Sequence, residues 1–288
     1  MTPTPFGSRL RAAMDAHGPF CPGIDPHREL VESWGLTYDL AGVERFAMTC
    51  VEAFGGHVAA VKPQSAFFEA FGSRGVAVLE RVLAGLRDAG TLSVLDAKRG
   101  DIGTTMAGYA SAYLSDESPM RADALTVSPY LGYGSLRPAV EVARSTGRGL
   151  FVLALTSNPE GPAVQHATRE GHSVAATILR GVADDNADAL ATGTLGSVGV
   201  VVGATVGPAL AELGIDLAAT AAPVLAPGLG AQGGTPEGLR QVFGTAVGQV
   251  LGNSSREVLG EGPDVAALRA SARRAADQLA AVSETTAP

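Results

Sequence analysis

A closed (β/α)8 barrel is the fold this sequence predicts, and three observations predict it. Short apolar runs recur along the 288 residues, amphipathic segments separate them, and polar residues gather where the runs end. Eight such runs read as strands: Phe20–Ile24, Val58–Val61, Leu92–Leu95, Ala124–Val127, Leu150–Leu155, Val198–Val202, Val224–Ala226 and Gln249–Leu251. Most are continuous rather than alternating, as expected of strands buried on both faces. Between them, Leu40–Phe54, Gly75–Ala89, Ser173–Leu190 and Val265–Val282 space their apolar residues as amphipathic helices do, which suits an outer ring. The length fits one barrel domain over residues 1–288, with 1–6 and 283–288 as loose tails. An open doubly wound sheet is the competing architecture.

Composition narrows the class. Apolar residues make up 46% of the chain, yet no uninterrupted apolar run approaches the length of a membrane span. The start has no charged stretch followed by an apolar one, so a cytoplasmic protein is expected. Cys21 and Cys50 are the two cysteines, without paired spacing, which fits a reducing compartment and argues against disulfides or zinc. A net charge of -8 disfavours a broad nucleic-acid surface. A small anionic substrate stays compatible, because positive groups in a cleft can outweigh the global charge.

In a barrel the active site lies where the strands end at their carboxyl termini. Six segments collect there: Asp25-Pro26-His27, Lys62-Pro63-Gln64, Asp96 to Asp101, Thr156-Ser157-Asn158-Pro159, Gly228 to Gly234, and Asn253-Ser254-Ser255-Arg256. The chain has two lysines, Lys62 and Lys98, against nineteen arginines, and both lysines fall in this set. Nucleotide-composition bias could leave two lysines by chance. Their position argues for chemistry, since arginine carries surface charge equally well but does not readily hand over a proton. Strand alternation puts Asp96 and Lys98 on one side. Opposite charges about 4 Å apart attract by roughly 4 kcal/mol at an effective dielectric near 20. With Lys62 added, the three form an alternating network that holds both ammonium groups charged.

Gly228-Leu229-Gly230-Ala231-Gln232-Gly233 has the spacing G-x-G-x-x-G. The acidic residue that a dinucleotide site needs about twenty positions later is missing, so a phosphate loop assisted by Arg256 is the better reading. The five histidines form no HxH or HExxH pattern, and no metal is indicated. His27, near the mouth, reads as a helix-start or surface residue.

The stretch Asp96-Ala97-Lys98-Arg99-Gly100-Asp101-Ile102-Gly103-Thr104-Thr105 resembles the signature of orotidine 5'-phosphate decarboxylase. Val61 to Glu69, Pro227 to Gly234 and Asn253 to Arg256 add to the resemblance in the family's order, and the Lys-Pro-Gln and Asn-Ser-Ser-Arg forms look like its longer bacterial branch. The resemblance implies that orotidine 5'-phosphate becomes uridine 5'-phosphate, in de novo pyrimidine biosynthesis, without a cofactor. It implies that Asp25 holds the ribose hydroxyls, that Lys62 bridges ribose and charge network, and that Asp96 lies against the substrate carboxylate. Lys98 would protonate C6, Ser157 would bond the pyrimidine edge, and Gln232 and Arg256 would hold the phosphate. A homodimer with shared sites is also implied, with Asp101, Ile102 and Thr105 reaching the neighbouring subunit's substrate. The rivals are another phosphosugar barrel, using magnesium or a lysine Schiff base, and a silent barrel that only binds a nucleotide.

Overall fold

The structure, a computed structural model, describes residues 3–230 and 233–284. Helix α1 (Phe6–His17) precedes the first strand, β1 (Phe20–Ile24). There follow α2 (Arg28–Ser33), α3 (Leu40–Phe54), β2 (Ala60–Pro63), α4 (Ser65–Glu69), α5 (Gly72–Asp88), β3 (Leu92–Arg99), α6 (Gly103–Leu114), β4 (Ala124–Val127), α7 (Arg137–Thr146) and β5 (Gly149–Leu155). The remaining barrel strands are β6 (Val198–Val202), β7 (Val224–Pro227) and β8 (Val250–Ser254), and the helix Val265–Glu284 comes last among the described residues. All eight strands pair in parallel and in chain order, and β8 closes on β1. Asn253 strengthens that seam, its side-chain amide donating to the Cys21 carbonyl at 2.7 Å.

The expected runs are all strands, with displaced ends. The second strand begins at Ala60 instead of Val58 and includes Lys62, the third extends to Arg99, and the eighth extends through Asn253 and Ser254. These polar residues stay in strand conformation because a barrel strand keeps a neighbour on each side up to the rim. The expected helix Ser173–Leu190 is instead two, Val174–Asp185 and Ala187–Ala191. Asn186 interrupts it: its buried amide donates to the carbonyls of Val198 at 2.7 Å and Thr220 at 3.2 Å and accepts the Val198 N–H at 3.2 Å. A hairpin, Thr168–Arg169 with His172–Ser173, carries no sequence signal strong enough to anticipate.

Phe6, counted with the loose amino-terminal end from sequence, is fully buried. Helix α1 sits beneath the barrel, where Phe6, Leu10 and Met14 pack with Val94, Phe151 and Leu225. The Phe6 ring meets that of Phe151 edge-on at 5.9 Å. Gly149 makes room for it, since a Cβ there would lie 2.2 Å from the Phe6 ring. The outer cluster, between strands and helical ring, includes Phe46, Phe54, Leu79 and Leu86. Asp39 caps α3 through the Gly42 N–H at 2.8 Å, which fixes its start where the periodicity predicts.

Candidate active site

At the carboxyl ends of the strands lies a cavity of about 290 Å³. It is lined by Asp25 and His27 after β1, Lys62 of β2, Asp96 and Lys98 of β3, Thr126 of β4, and Arg256 after β8. Phe67, Leu153, Thr156 and the Pro227-Gly228-Leu229 segment are among the other lining residues. Three cationic side chains thus face two carboxylates, a local positive balance in a chain of net charge -8.

Asp96 is the centre of the charge network. Its Oδ1 lies 2.5 Å from the Lys98 ammonium and its Oδ2 lies 3.0 Å from that of Lys62. Lys62 also approaches Asp25 at 3.8 Å. The Lys62 and Asp96 side chains are buried, at 6% and 9% exposure, whereas Lys98 keeps 47% and reaches into the open cavity. Burial alone would raise the pKa of the Asp96 carboxyl, but the Lys62 and Lys98 ammoniums outweigh it and bring it down to about 2. Burial would likewise strip the proton from Lys62, yet Asp25 and Asp96 hold its pKa above the ordinary lysine value. Both ions are fixed in their charged forms.

Regular alternation does not produce this geometry. The register between β3 and β4 shifts between Leu95 and Arg99, and Lys98 has φ of +45°, in the left-handed region. For a residue other than glycine that conformation costs about 1–2 kcal/mol. Thr126 supports it. Its hydroxyl accepts the N–H groups of Ala97 at 3.1 Å and Lys98 at 2.9 Å and donates to Asp96 Oδ1 at 2.9 Å. Gln64 adds a bond from its amide to the Asp96 carbonyl at 3.2 Å. Sequence reasoning passed over Thr126, because a threonine inside an apolar run reads as a strand former.

The other expected residues separate into groups. Asp25, Lys62, Asp96, Lys98 and Arg256 meet at the cavity, while Ser157 is exposed and outside its lining, which Thr156 provides. Asp101, Ile102 and Thr105 do not line this cavity either; Asp101 accepts the Ile102 N–H at 2.8 Å, and Ile102 and Thr105 are exposed. Gln232 lies outside the described residues. The glycine loop differs from an open nest of amides: Gly230, Gly233 and Gly234 donate to the carbonyls of Gly234, Gly230 and Gly228 at 2.9, 2.7 and 3.0 Å. Those amides fold the loop on itself, with Gly228, Gly230 and Gly233 at positive φ.

His27 has two positions at once. It is the residue before α2, as a helix-start reading expects, but makes no capping bond, and its ring lies against the cavity 6.0 Å from that of Phe67. Its Nε2, together with Asp25 Oδ1 and Ser254 Oγ, is buried without a hydrogen-bond partner.

A (β/α)8 barrel with two ammoniums around one buried carboxylate, and a further arginine at the rim of the same cavity, is the framework of an acid–base enzyme for a small anionic substrate. Residues 18–271 match the orotidine 5'-phosphate decarboxylase / HUMPS family, and the chain belongs to it. Orotidine 5'-phosphate decarboxylase from Streptomyces coelicolor is 59% identical over 277 residues, covering 96% of this chain and 97% of that one. The namesake from Salinispora arenicola is 59% identical over 270 residues, covering 93% and 95%. A crystal structure assigned to orotidine 5'-phosphate decarboxylase of Streptomyces avermitilis superposes with a TM-score of 0.94 at 59% identity, over 99% of this chain and 98% of that one.

Proposed function

We propose that this cavity decarboxylates orotidine 5'-phosphate to uridine 5'-phosphate, with Lys98 delivering the proton to C6 as carbon dioxide leaves. The observation that carries the reading is Asp96 held between Lys62 and Lys98, at 3.0 and 2.5 Å, with Lys98 extending into the cavity. Loss of carbon dioxide leaves a carbanion that the pyrimidine delocalises poorly. A fixed ammonium beside that carbon stabilises the charge without reorganisation and then neutralises it. Asp96 lies against the departing carboxylate, Asp25 and Lys62 receive the ribose, and Arg256 takes the phosphate at the far rim. Gln232 completes the phosphate contact, and the Thr156-Ser157 segment meets the pyrimidine edge.

No cofactor is needed in this reading, because Lys98 itself supplies the charge and the proton and Asp96 is committed to two ammoniums. Lys62 is held charged and is poorly suited to forming a Schiff base. The working unit is a homodimer, with Asp101, Ile102 and Thr105 directed to the partner's substrate. Its support is the exposed apolar surface beside the mouth, where Ile102 is 61%, Tyr130 79% and Leu131 54% exposed. Among the described residues no helix is long and apolar enough to cross a membrane, and both cysteines are free and buried; the cytoplasm is the compartment this fits.

The test is the ultraviolet absorbance of orotidine 5'-phosphate mixed with chelator-treated protein. Rapid conversion to uridine 5'-phosphate is expected. Conversion only after a divalent metal is restored would replace this mechanism with a metal-dependent one.

A further inference from the structure

Two charged residues in the motifs that carry the family resemblance have no part in the chemistry above: Glu69, at the end of the Lys62 segment, and Arg99, beside Lys98. They meet outside the cavity lining, Glu69 ending α4 and Arg99 ending β3. The Arg99 guanidinium donates to Glu69 Oε1, which also accepts the Ser65 hydroxyl at 2.6 Å. Arg99 Nε and Nη2 donate to the Tyr113 hydroxyl at 3.3 and 3.2 Å, and its guanidinium carbon lies 5.7 Å from the ring centres of Tyr109 and Tyr113. Its carbonyl accepts the Ser128 N–H at 2.7 Å. One residue therefore ties together α4, which follows Lys62, α6, which follows Asp101, and the turn after β4.

We infer that Arg99, anchored by Glu69 and Tyr113, is a positioning residue that keeps Lys98 in its left-handed backbone and so keeps the ammonium on Asp96. A non-glycine residue with φ of +45° persists only where its surroundings hold it on both sides. On the amino-terminal side Thr126 binds the amides of Ala97 and Lys98. On the carboxyl-terminal side the fastening is Arg99, through both its carbonyl and its side chain. Pinned at both ends, Lys98 cannot leave its left-handed backbone, and its ammonium stays at the Asp96 carboxylate. Arginine suits the task because its planar fork reaches a carboxylate and a phenol together, which a lysine ammonium does less well. Arg99 does not line the cavity, so it acts through Lys98, and the inference rests on the role given to Lys98 above.

The experiment compares wild type, Arg99→Met, Glu69→Gln and the double variant, measuring kcat, the dissociation constant of uridine 5'-phosphate, and folding by circular dichroism. Arg99→Met is expected to lower kcat about a hundredfold, the scale of a 1 Å misplacement at a reacting group, with product affinity changed by less than about threefold. Glu69→Gln is expected to lose less in the same direction. The double variant is expected to match Arg99→Met alone, because both changes break one contact. Unchanged kcat in folded Arg99→Met, or equal losses of kcat and affinity, would overturn the inference. If Arg99→Met does not fold, Glu69→Gln decides, and unchanged kcat in that folded variant has the same meaning. Lys98→Ala in the same series tests Lys98 itself, so failure at Arg99 is distinguished from failure of the proposed chemistry.

Discussion

The two ends of the barrel each hold an ion pair beside β3 and β4, partly buried below and centred on a buried carboxylate at the mouth, and they use it in opposite ways. Beneath the barrel, Arg9 of α1 meets Asp123 at 2.5 Å and donates to the Gly147 carbonyl at 2.8 Å. Asp123 Oδ2 accepts from the Ser93 N–H and hydroxyl at 2.9 and 3.1 Å, and the Ser93 hydroxyl in turn accepts the Asp123 N–H at 3.1 Å. Those groups serve backbone, and the cation is an arginine that stays charged. At the mouth the cations around Asp96 are lysines, one of them half exposed, and Asp25, His27 and Ser254 each leave a buried polar atom without a hydrogen bond. Buried polar groups are ordinarily satisfied within the protein. The closed network serves the fold, whereas the open one leaves polar atoms without hydrogen bonds on residues that line the cavity.

Separate substitutions at the two ends would break this division if it is wrong. Lys98→Ala is expected to lower turnover by at least about a thousandfold, within the range of a lost general acid, because no other ammonium in the cavity extends past Asp96. Its folding is expected to be little changed, since a half-exposed ion pair contributes at most about 1 kcal/mol. Steady-state kinetics with urea unfolding measures both. At the other end Phe6→Ala is expected to cost about 3–5 kcal/mol of stability, the range for a deleted core aromatic, while the folded protein keeps its kcat. A kcat loss in folded Phe6→Ala would show that the packing of α1 beneath the barrel also shapes the mouth. The comparison sharpens at Lys98→Gly, which removes the ammonium and also relieves the left-handed backbone. It is expected to be more stable than Lys98→Ala by about 1 kcal/mol and equally inactive.

Subunit mixing addresses the proposed dimer. Lys98→Ala and Asp101→Ala subunits, each inactive alone, are expected to regain one intact site per heterodimer. No recovery after verified exchange would place Asp101 outside the partner's site.

The parts legible in the sequence were those with a local signature. Apolar runs marked all eight strands, and the rarity of lysine singled out Lys62 and Lys98, which the fold brings to one carboxylate. Features decided by distant contacts were not legible. Helix α1 is amphipathic only in relation to the barrel floor that covers Phe6 and Leu10. The break at Asn186 depends on carbonyls of Val198 and Thr220, 12 and 34 positions away in sequence. Thr126 looks like any β-branched residue until the bulge in β3 brings two amides and the Asp96 carboxylate to its hydroxyl.

Acid provides the smallest of these effects, through the Asp96 carboxyl at the mouth. The Asp96 carboxyl has its pKa lowered from 3.8 to about 2 in the folded protein. A group whose folded pKa is depressed contributes stability that is fully present above its unfolded value and is lost as pH falls through the folded one. The network's contribution is therefore constant through neutrality and declines between about pH 4 and 2, so the Asp96 network does not respond to pH across the physiological range. Removing the Lys98 ammonium lets the folded pKa of Asp96 rise toward 3.8, since Lys62 alone then opposes the burial. Lys98→Ala is thus expected to unfold at slightly higher pH than wild type, by a fraction of a unit, because a half-exposed ammonium is screened by water. Acid titrations followed by circular dichroism measure it. Coincident curves would mean that Lys62 alone fixes the charge on Asp96, leaving Lys98 free for the substrate.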